Sequence, residues 1–323
     1  MLKDDILQIL MRSRAGYISG ADLARTMGVS RTAVWKHIRA LESEGYRFTA
    51  VPSKGYRIAE VPDTILVSEV AQGLPTRTIG REIRSYPELA STNTLAMELA
   101  QKGAVDGAVV IAETQSSGRG RLGRSWLSPR GNLYLSAVLR PAVPTHKAPL
   151  ITLMGAVAVA SSIRKQLGLP AGIKWPNDIM ISGKKVSGLL TEMSAEPDRI
   201  RHIVLGIGVN VNMDLKKLPP AVRTLSTTLA VEAGRTVDRT RFLRDLLIEL
   251  DHWYACFVNR ETDVLRAWET LNVTLGRRVA VSGAGTTLEG AASGIDAEGR
   301  LVLLLDDGTS RHVAAGDVTM LKR

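Results

Sequence analysis

The sequence predicts an α+β protein in three parts, and three observations carry that prediction. Apolar residues recur at helical spacing near the N-terminus and then give way to two short strands. From about residue 80 to 210, strand-like runs are interrupted by long helical patterns. Beyond residue 270 only short strands and Gly-rich turns remain. The implied boundaries are 1–62, 63–270 and 271–323, and 323 residues is more than one ordinary core holds.

In the first part, Leu2, Ile6, Ile9 and Leu10 predict an amphipathic helix. Ser19 caps a short helix through Ala21, Leu23 and Ala24, Gly28 turns the chain, and Ser30 caps a helix running to about Glu42. Val34, Ile38 and Leu41 share one face of that last helix, while Arg31, Thr32, Trp35, Lys36 and Arg39 share the other. Small Ala24, then Gly28, then apolar Val34 is the spacing of a helix-turn-helix. Residues 46–51 and 56–58 read as strands joined by Pro52-Ser53-Lys54-Gly55, a basic-tipped wing. Residues 1–61 hold ten Lys/Arg against six Asp/Glu, so the basic face suits an anionic partner. Ser30, Arg31, Thr32, Lys36, Arg39 and Lys54 are the candidate DNA contacts. A packing module with a merely solvated basic face is the alternative, and His37 reads as a surface residue without a special role.

In the second part, strands are expected at 81–86, 108–113, 133–139, 172–174, 178–181, 186–193 and 202–209. Helices are expected at 92–102, 149–167 and 239–260. Strands joined by short turns, with helices grouped around them, predict a mixed sheet rather than a doubly wound one. No GxxxxGK(S/T) phosphate loop occurs. The single cysteine, Cys256, excludes an internal disulfide and a cysteine-based metal cage, and beside Trp253 and Phe257 it reads as packing. Neither a signal-peptide core nor an apolar run of roughly 20 residues is visible, so the expected compartment is the cytoplasm. The formal charge is +10, but residues 272–323 carry six Lys/Arg and six Asp/Glu, so the third part has no electrostatic cause to meet an anion.

Four segments of the second part carry candidate chemistry. Ser91-Thr92-Asn93 follows a strand and opens a helix, where hydroxyls and backbone N–H groups are placed either for a polar ligand or as an ordinary N-cap. Residues 118–126 alternate glycine with arginine and end on Trp126. Glycine lets a backbone approach a ligand closely, and arginine supplies a fixed fork of donors for carboxylate or phosphate. Alone, that run suits nucleic acid equally well. Lys174-Trp175-Pro176-Asn177-Asp178 places cation, aromatic ring, amide and carboxylate within one bend, although Trp175 and Pro176 also read as holding the bend itself. After Ser182-Gly183 the chain returns as Lys184-Lys185-Val186-Ser187-Gly188, so one lysine faces inward and the other outward. The last expected strand ends at Asn210 and Asn212, amides placed to orient a phosphate or a metal-bound water.

Together these segments resemble the biotin protein ligases (biotin–acetyl-CoA-carboxylase ligases), in the bifunctional bacterial form that is also the biotin operon repressor. The resemblance rests on STN at 91–93, GRGRLGRSW at 118–126, KWPND at 174–178, KKVSGLL at 184–190 and GIGVNVN at 206–212. It implies a class II synthetase-like catalytic domain that uses ATP and Mg2+ to convert biotin to biotinyl-5′-AMP, then passes biotin to a lysine of biotin carboxyl carrier protein. The biotin site would be Ser91, Thr92, Asn93, Gln115, Gly118, Arg119, Arg121, Lys185 and Gly206. Attack of a carboxylate on the α-phosphate brings two anions together, so cations must offset the repulsion. Arg119, Arg121 and Lys185 are implied for that work, and Asp178 for assisting the acceptor lysine. Arg121, Arg124, Trp126, Lys174, Asn177 and Asn210 would hold ATP, Trp126 at the adenine and Asn210 acting indirectly on Mg2+.

The 118–126 loop would then be a lid, loose when empty and ordered over the adenylate. Ser116-Ser117 and Ser125 depart from common family choices, and 218–229 matches a variable family loop. Strands at 278–281, 287–295, 301–305 and 310–313 predict a small SH3-like barrel, which the resemblance assigns to aiding ligation. A head joined to a biotin-activating site further implies that the adenylate promotes a homodimer through the central sheet, which grips two half-sites of operator DNA. Two alternatives stand beside this one: a monofunctional ligase with a non-regulatory winged helix, and a lipoate ligase-like transferase.

Overall fold

The computed structural model describes residues 2–321 except 14–15, 44, 61–62, 197–198 and 284–285. The chain forms two compact units, Met1–Asp63 and Thr64–Arg323, and the expected boundary at residue 62 lies outside the described residues.

The first unit contains α1 (Leu2–Arg12), α2 (Gly20–Met27), α3 (Arg31–Ser43), β1 (Arg47–Val51) and β2 (Gly55–Glu60). The caps are those the sequence predicts. Ser19 Oγ accepts from Asp22 N at 3.0 Å, and Ser30 Oγ accepts from Ala33 N at 3.1 Å. Val34, Ile38 and Leu41 of α3 pack with Ile6, Leu10 and Leu23 in one small core. β1 and β2 pair antiparallel, closing on Val51 and Gly55. Gly55 has φ +100, and a Cβ there would lie 2.0 Å from the Ile18 carbonyl, so the wing's approach to the helices requires glycine.

The second unit opens with α4 (Val67–Ala71), β3 (Ile83–Tyr86), α5 (Thr92–Gln101), β4 (Val109–Ala112), β5 (Leu133–Leu139) and α6 (Pro149–Leu167). There follow β6 (Gly172–Lys174), β7 (Asp178–Ile181), β8 (Lys184–Ala195), β9 (Ile200–Val209), α7 (Pro220–Arg223), α8 (Leu229–Ala233), α9 (Arg239–Asn259) and α10 (Glu261–Leu271). Among the described residues, β3 to β9 form one mixed sheet in the order β3-β4-β5-β9-β8-β7-β6, parallel only at β3/β4. α6 covers one face, and α9 and α10 pack against α6. On the other, α5 covers β4, β5 and β9 through Ala96, Ala100, Val110, Val138 and Val204. The part of that face that α5 leaves open is the floor of the site described below.

A helix apolar all round belongs inside a core. The stretch Thr145–Leu167, containing α6, is long and apolar enough to cross a membrane, and 72% of its apolar window is buried here. Arg239 on α9 is 2% exposed and donates to Glu113 Oε2 at 2.9 Å, while Glu113 Oε1 accepts from Ile65 N at 2.8 Å. Removing either partner would leave an uncompensated buried charge, a loss of about 3–5 kcal/mol.

The third part consists of β10 (Arg278–Gly283), β11 (Thr286–Ile295), β12 (Leu301–Leu304), β13 (Ser310–Val313) and β14 (Asp317–Met320). They form an antiparallel sheet in the order β13-β12-β11-β10-β14. Val279, Val281, Leu301, Leu303 and Val318 belong to the same apolar cluster as the central sheet. The bend at Trp175 fastens the two sheets together. Its indole donates to Gly299 O at 3.0 Å, its backbone N–H donates to Thr274 Oγ1 at 2.9 Å, and the Trp175–Pro176 peptide is cis.

Candidate functional site

The floor of the cavity comes from two rows of residues across β8, β9 and β5. Gly188, Gly208 and Tyr134 are paired neighbours in one row, and Leu190, Gly206 and Ser136 in the next. The missing side chains make room for specific visitors. A Cβ on Gly208 would come within 2.7 Å of the Trp126 ring, and one on Gly188 within 2.9 Å. At Gly206 it would lie 2.0 Å from Asn93 Oδ1. Trp126 therefore lies flat on the strands, with Lys185 Nζ 5.1 Å from its ring centroid. Its Nε1 is buried with no hydrogen-bond partner in the structure.

One end of the cavity is polar and nearly dry. Ser91, Thr92 and Asn93 are each 4% exposed at the start of α5. Ser91 occupies the N-cap position, yet its side chain makes no capping bond, so the ordinary-cap reading of 91–93 does not hold. Gln115 Oε1 instead accepts from Thr92 N at 2.8 Å and Thr92 Oγ1 at 3.1 Å, and Gln115 Nε2 donates to Ser128 at 2.9 Å. Ser136 Oγ donates to Asn93 Oδ1 at 2.6 Å.

The other end is cationic. The 118–126 segment folds into a hairpin-like loop, with Gly120 N on Arg124 O at 2.7 Å and Trp126 N on Gly118 O at 2.8 Å. Each arginine has its own acceptor. Arg119 pairs with Glu192 at 2.8 Å, Arg121 donates to Asn177 Oδ1 and Gly316 O at 3.2 Å each, and Arg124 pairs with Asp317. Lys185 pairs with Asp178 at 2.6 Å, while its neighbour Lys184 is exposed. Burial pushes the Arg121 guanidinium and the Lys174 ammonium below their ordinary basicity, against the pull of Asp178.

Ser91, Thr92, Asn93, Gln115, Arg119, Arg121, Arg124, Trp126, Asn177, Asp178, Lys185 and Gly206 thus line one cavity, as a single site requires. Lys174 and Asn210 lie instead on an adjoining cavity that shares Trp126, Asp178 and Lys185. Its apolar wall comes from Met213, Leu218, Val222, Leu225, Val318 and Met320. The 218–229 loop is fixed there by Lys185, whose N–H donates to Leu225 O and whose carbonyl accepts from Thr227 N. Asn210 Nδ2 donates to Thr227 O at 3.2 Å. Gly118 serves packing, since a Cβ would meet Trp126 O at 2.3 Å. Asn212 is bonded to both polar groups of Val237, so it closes a turn. Ser136, Ser128, Glu192 and Asp317 were not singled out by the sequence, because each meets its partner only through strand pairing or across sheets.

In the first unit, Ser30 caps α3 and Arg31, Thr32, Lys36 and Arg39 stand exposed along one face, with Lys54 exposed on the wing. Trp35 stands among them, 48% exposed, with the Arg39 guanidinium 5.5 Å from its ring. Arg31, Thr32 and Trp35 share a groove with Pro52, Ser53 and Tyr56 of the wing. The Trp35 ring therefore points outward, away from the small core of this unit.

Comparison with known proteins gives a consistent picture across the chain. The model of the biotin/lipoate A/B protein ligase family matches residues 86–210, an HTH domain model matches 3–57, and the biotin protein ligase C-terminal domain model matches 274–321. The chain is 38% identical over 316 residues to the bifunctional ligase/repressor BirA of Bacillus subtilis, covering 97% of each protein. To the bifunctional ligase/repressor BirA of Escherichia coli it is 30% identical over 314 residues, covering 97% of this chain and 95% of that protein. Among solved structures, the biotin protein ligase from Aquifex aeolicus in complex with biotin and ATP superposes with a TM-score of 0.65 at 27% identity, over 75% of this chain and all of that one.

Proposed function

The chain belongs to the biotin protein ligase family, among its bifunctional ligase/repressors, and from that premise we propose that it activates biotin with ATP, transfers biotin to a protein lysine and represses transcription through its helix-turn-helix. One observation carries the enzymatic half. A single cavity has hydroxyls and amides at one end and Arg119, Arg121 and Lys185 at the other. Biotin's ureido ring requires fixed polar partners, and Ser91, Thr92, Asn93 and Gln115 supply them. Its carboxylate then meets the cationic end, where Lys185 stabilises charge on the carboxylate and the α-phosphate together. That role is electrostatic, and no covalent bond to Lys185 is needed.

Nucleotide binding extends into the second cavity, past Arg124 and Asn177 to Lys174 and Asn210. The glycine-seated Trp126 ring offers the adenine a stacking face and an unpartnered N–H. Among the described residues, no three carboxylate, histidine or cysteine side chains converge as a metal cage. Mg2+ favours substrate phosphates and retained waters over such cages, so the ion would enter as part of MgATP, with Asn210 as the residue that would hold it indirectly. Asp178, which pairs with Lys185, takes a proton from the acceptor lysine of biotin carboxyl carrier protein in this reading. The Gly/Arg loop closes over the adenylate and keeps water from it.

The remaining assignments follow the same reading. Residues 63–270 form a class II synthetase-like catalytic domain, and 271–323 form an SH3-like barrel that supports ligation. The 1–62 head binds operator DNA through Arg31, Thr32, Lys36, Arg39 and Lys54, as one half of an adenylate-induced homodimer. Biotin is favoured over lipoate because a biotin–acetyl-CoA-carboxylase ligase matches 75% of this chain, and the similar solved structure from Aquifex aeolicus is a biotin protein ligase holding biotin and ATP.

Mass spectrometry of a carrier domain incubated with biotin and MgATP tests the enzymatic half. One biotin is expected with the wild-type protein and almost none with Lys185→Ala. No addition by wild type would overturn the ligase assignment. Equal operator affinity with and without the adenylate would overturn the switch.

A further inference from the structure

A carboxylate beside a cavity for an anionic substrate works against the local charge unless it holds something in place. Glu192 on β8, two residues beyond Leu190 on the same strand face, does hold two groups. Its Oε1 takes Arg119 at 2.8 Å, and its Oε2 accepts from Asn93 Nδ2 at 2.8 Å. An ionised carboxylate only accepts hydrogen bonds, so it dictates which way the Asn93 amide faces. The NH2 group turns to Glu192 and to Leu190 O at 3.3 Å, leaving Oδ1 to accept from Ser136 at 2.6 Å. The Ser136 proton is thereby committed, and its oxygen stands 2.8 Å from Thr92 Oγ1, which donates to Gln115. One charged group therefore sets the donor and acceptor pattern from Ser136 through Asn93 to the arginine loop.

We propose that Glu192 is a positioning residue for biotin: its carboxylate fixes the donor and acceptor pattern of Asn93 and Ser136, and holds Arg119 at the cationic end. Isosteric Glu192→Gln keeps the shape but can donate as well as accept, so Asn93 is free to flip and Arg119 loses its charged partner. This inference rests on the ligase reading and deepens it.

The test is adenylate formation against biotin concentration at saturating MgATP, with the melting temperature measured alongside. Glu192→Gln is expected to raise KM for biotin about tenfold, to change kcat less than about threefold, and to melt within a few degrees of wild type. Because Glu192 holds both Asn93 and Arg119, the Glu192→Gln/Arg119→Ala double variant is expected to raise KM by less than the product of the two single effects, the shortfall being the share exerted through Arg119. An unchanged KM in Glu192→Gln, or single effects that multiply in the double variant, would overturn the proposal. Wild-type adenylation is the control. Its absence removes the ligase reading, whereas a normal wild type beside an unaltered Glu192→Gln removes only the role of Glu192.

Discussion

Arg31 and Lys36 on the recognition helix stand in solvent, whereas Arg119, Arg121, Arg124 and Lys185 around the cavity each touch a specific acceptor. The residue types are the same, but the physics is not. Exposed cations gather counterions and act by releasing them to a polyanion, so their effect is long-ranged and salt-dependent. Cavity cations sit in fixed positions, partly desolvated, and act by exchanging one acceptor for another at short range. Basic composition therefore cannot distinguish a nucleic-acid surface from a phosphate-transfer site. Where the partner comes from can: Arg39 pairs with Glu42 one turn along its own helix, whereas each cavity cation takes an acceptor on another element.

Salt should separate the two regions most widely. If the paired heads neutralise six to ten phosphates, operator affinity falls about 10³–10⁵-fold between 50 and 200 mM salt, as a binding titration would read. Adenylation over the same range should move less than about threefold, and a comparably steep fall would mean that the cavity cations are as exposed electrostatically as the head. Lys185→Ala comes next, with an expected loss of about 10²–10³-fold in the rate of adenylate formation and no change in DNA affinity of the adenylate-free protein. Trp35→Ala on the head is expected to weaken operator binding about tenfold while leaving the salt slope intact, since an indole reads bases or packs without neutralising phosphate. A flattened slope would place Trp35 among the electrostatic contacts instead.

The smallest effect is a pH limb. Burial holds Lys174 below the ordinary lysine value of 10.5. A base with a lowered pKa loses its proton at a lower pH than an ordinary lysine does, so nucleotide use should decline as pH rises, earlier than the ordinary lysine value would set. Lys174→Arg should move the decline to higher pH with only a few-fold change near neutrality. If kcat/KM for ATP falls at the same pH in both proteins, Lys174 is not its source.

Much of this contrast was legible in the sequence. Strand-like runs gave β5, β6 and β7 with their observed limits, and the glycine, arginine and lysine motifs pointed to residues that meet in one cavity. α10 was missed because only Arg260, at φ −152, separates it from α9, so the two helices read as one pattern ending early. β14 is four residues long and acquires its identity from pairing with β10. Glu192 was invisible for a related reason. Its partners Asn93 and Arg119 lie on separate elements far back in the chain, and no local spacing records such a contact. Ser91 shows the opposite case: the local signal fits a cap as well as a ligand site, yet Gln115 takes the Thr92 N–H and leaves the serine to the cavity wall.

Gly188 and Gly208 have a bearing on how this protein can change. Neither needs a left-handed backbone, so local conformation alone would permit alanine at both. The Trp126 ring forbids it, since even one methyl group would lift the indole off the strands. In a saturation library both positions should tolerate glycine only, until Trp126 is itself replaced by a smaller residue. Such paired dependence would make the slot under the indole a place where substitutions arrive together or not at all.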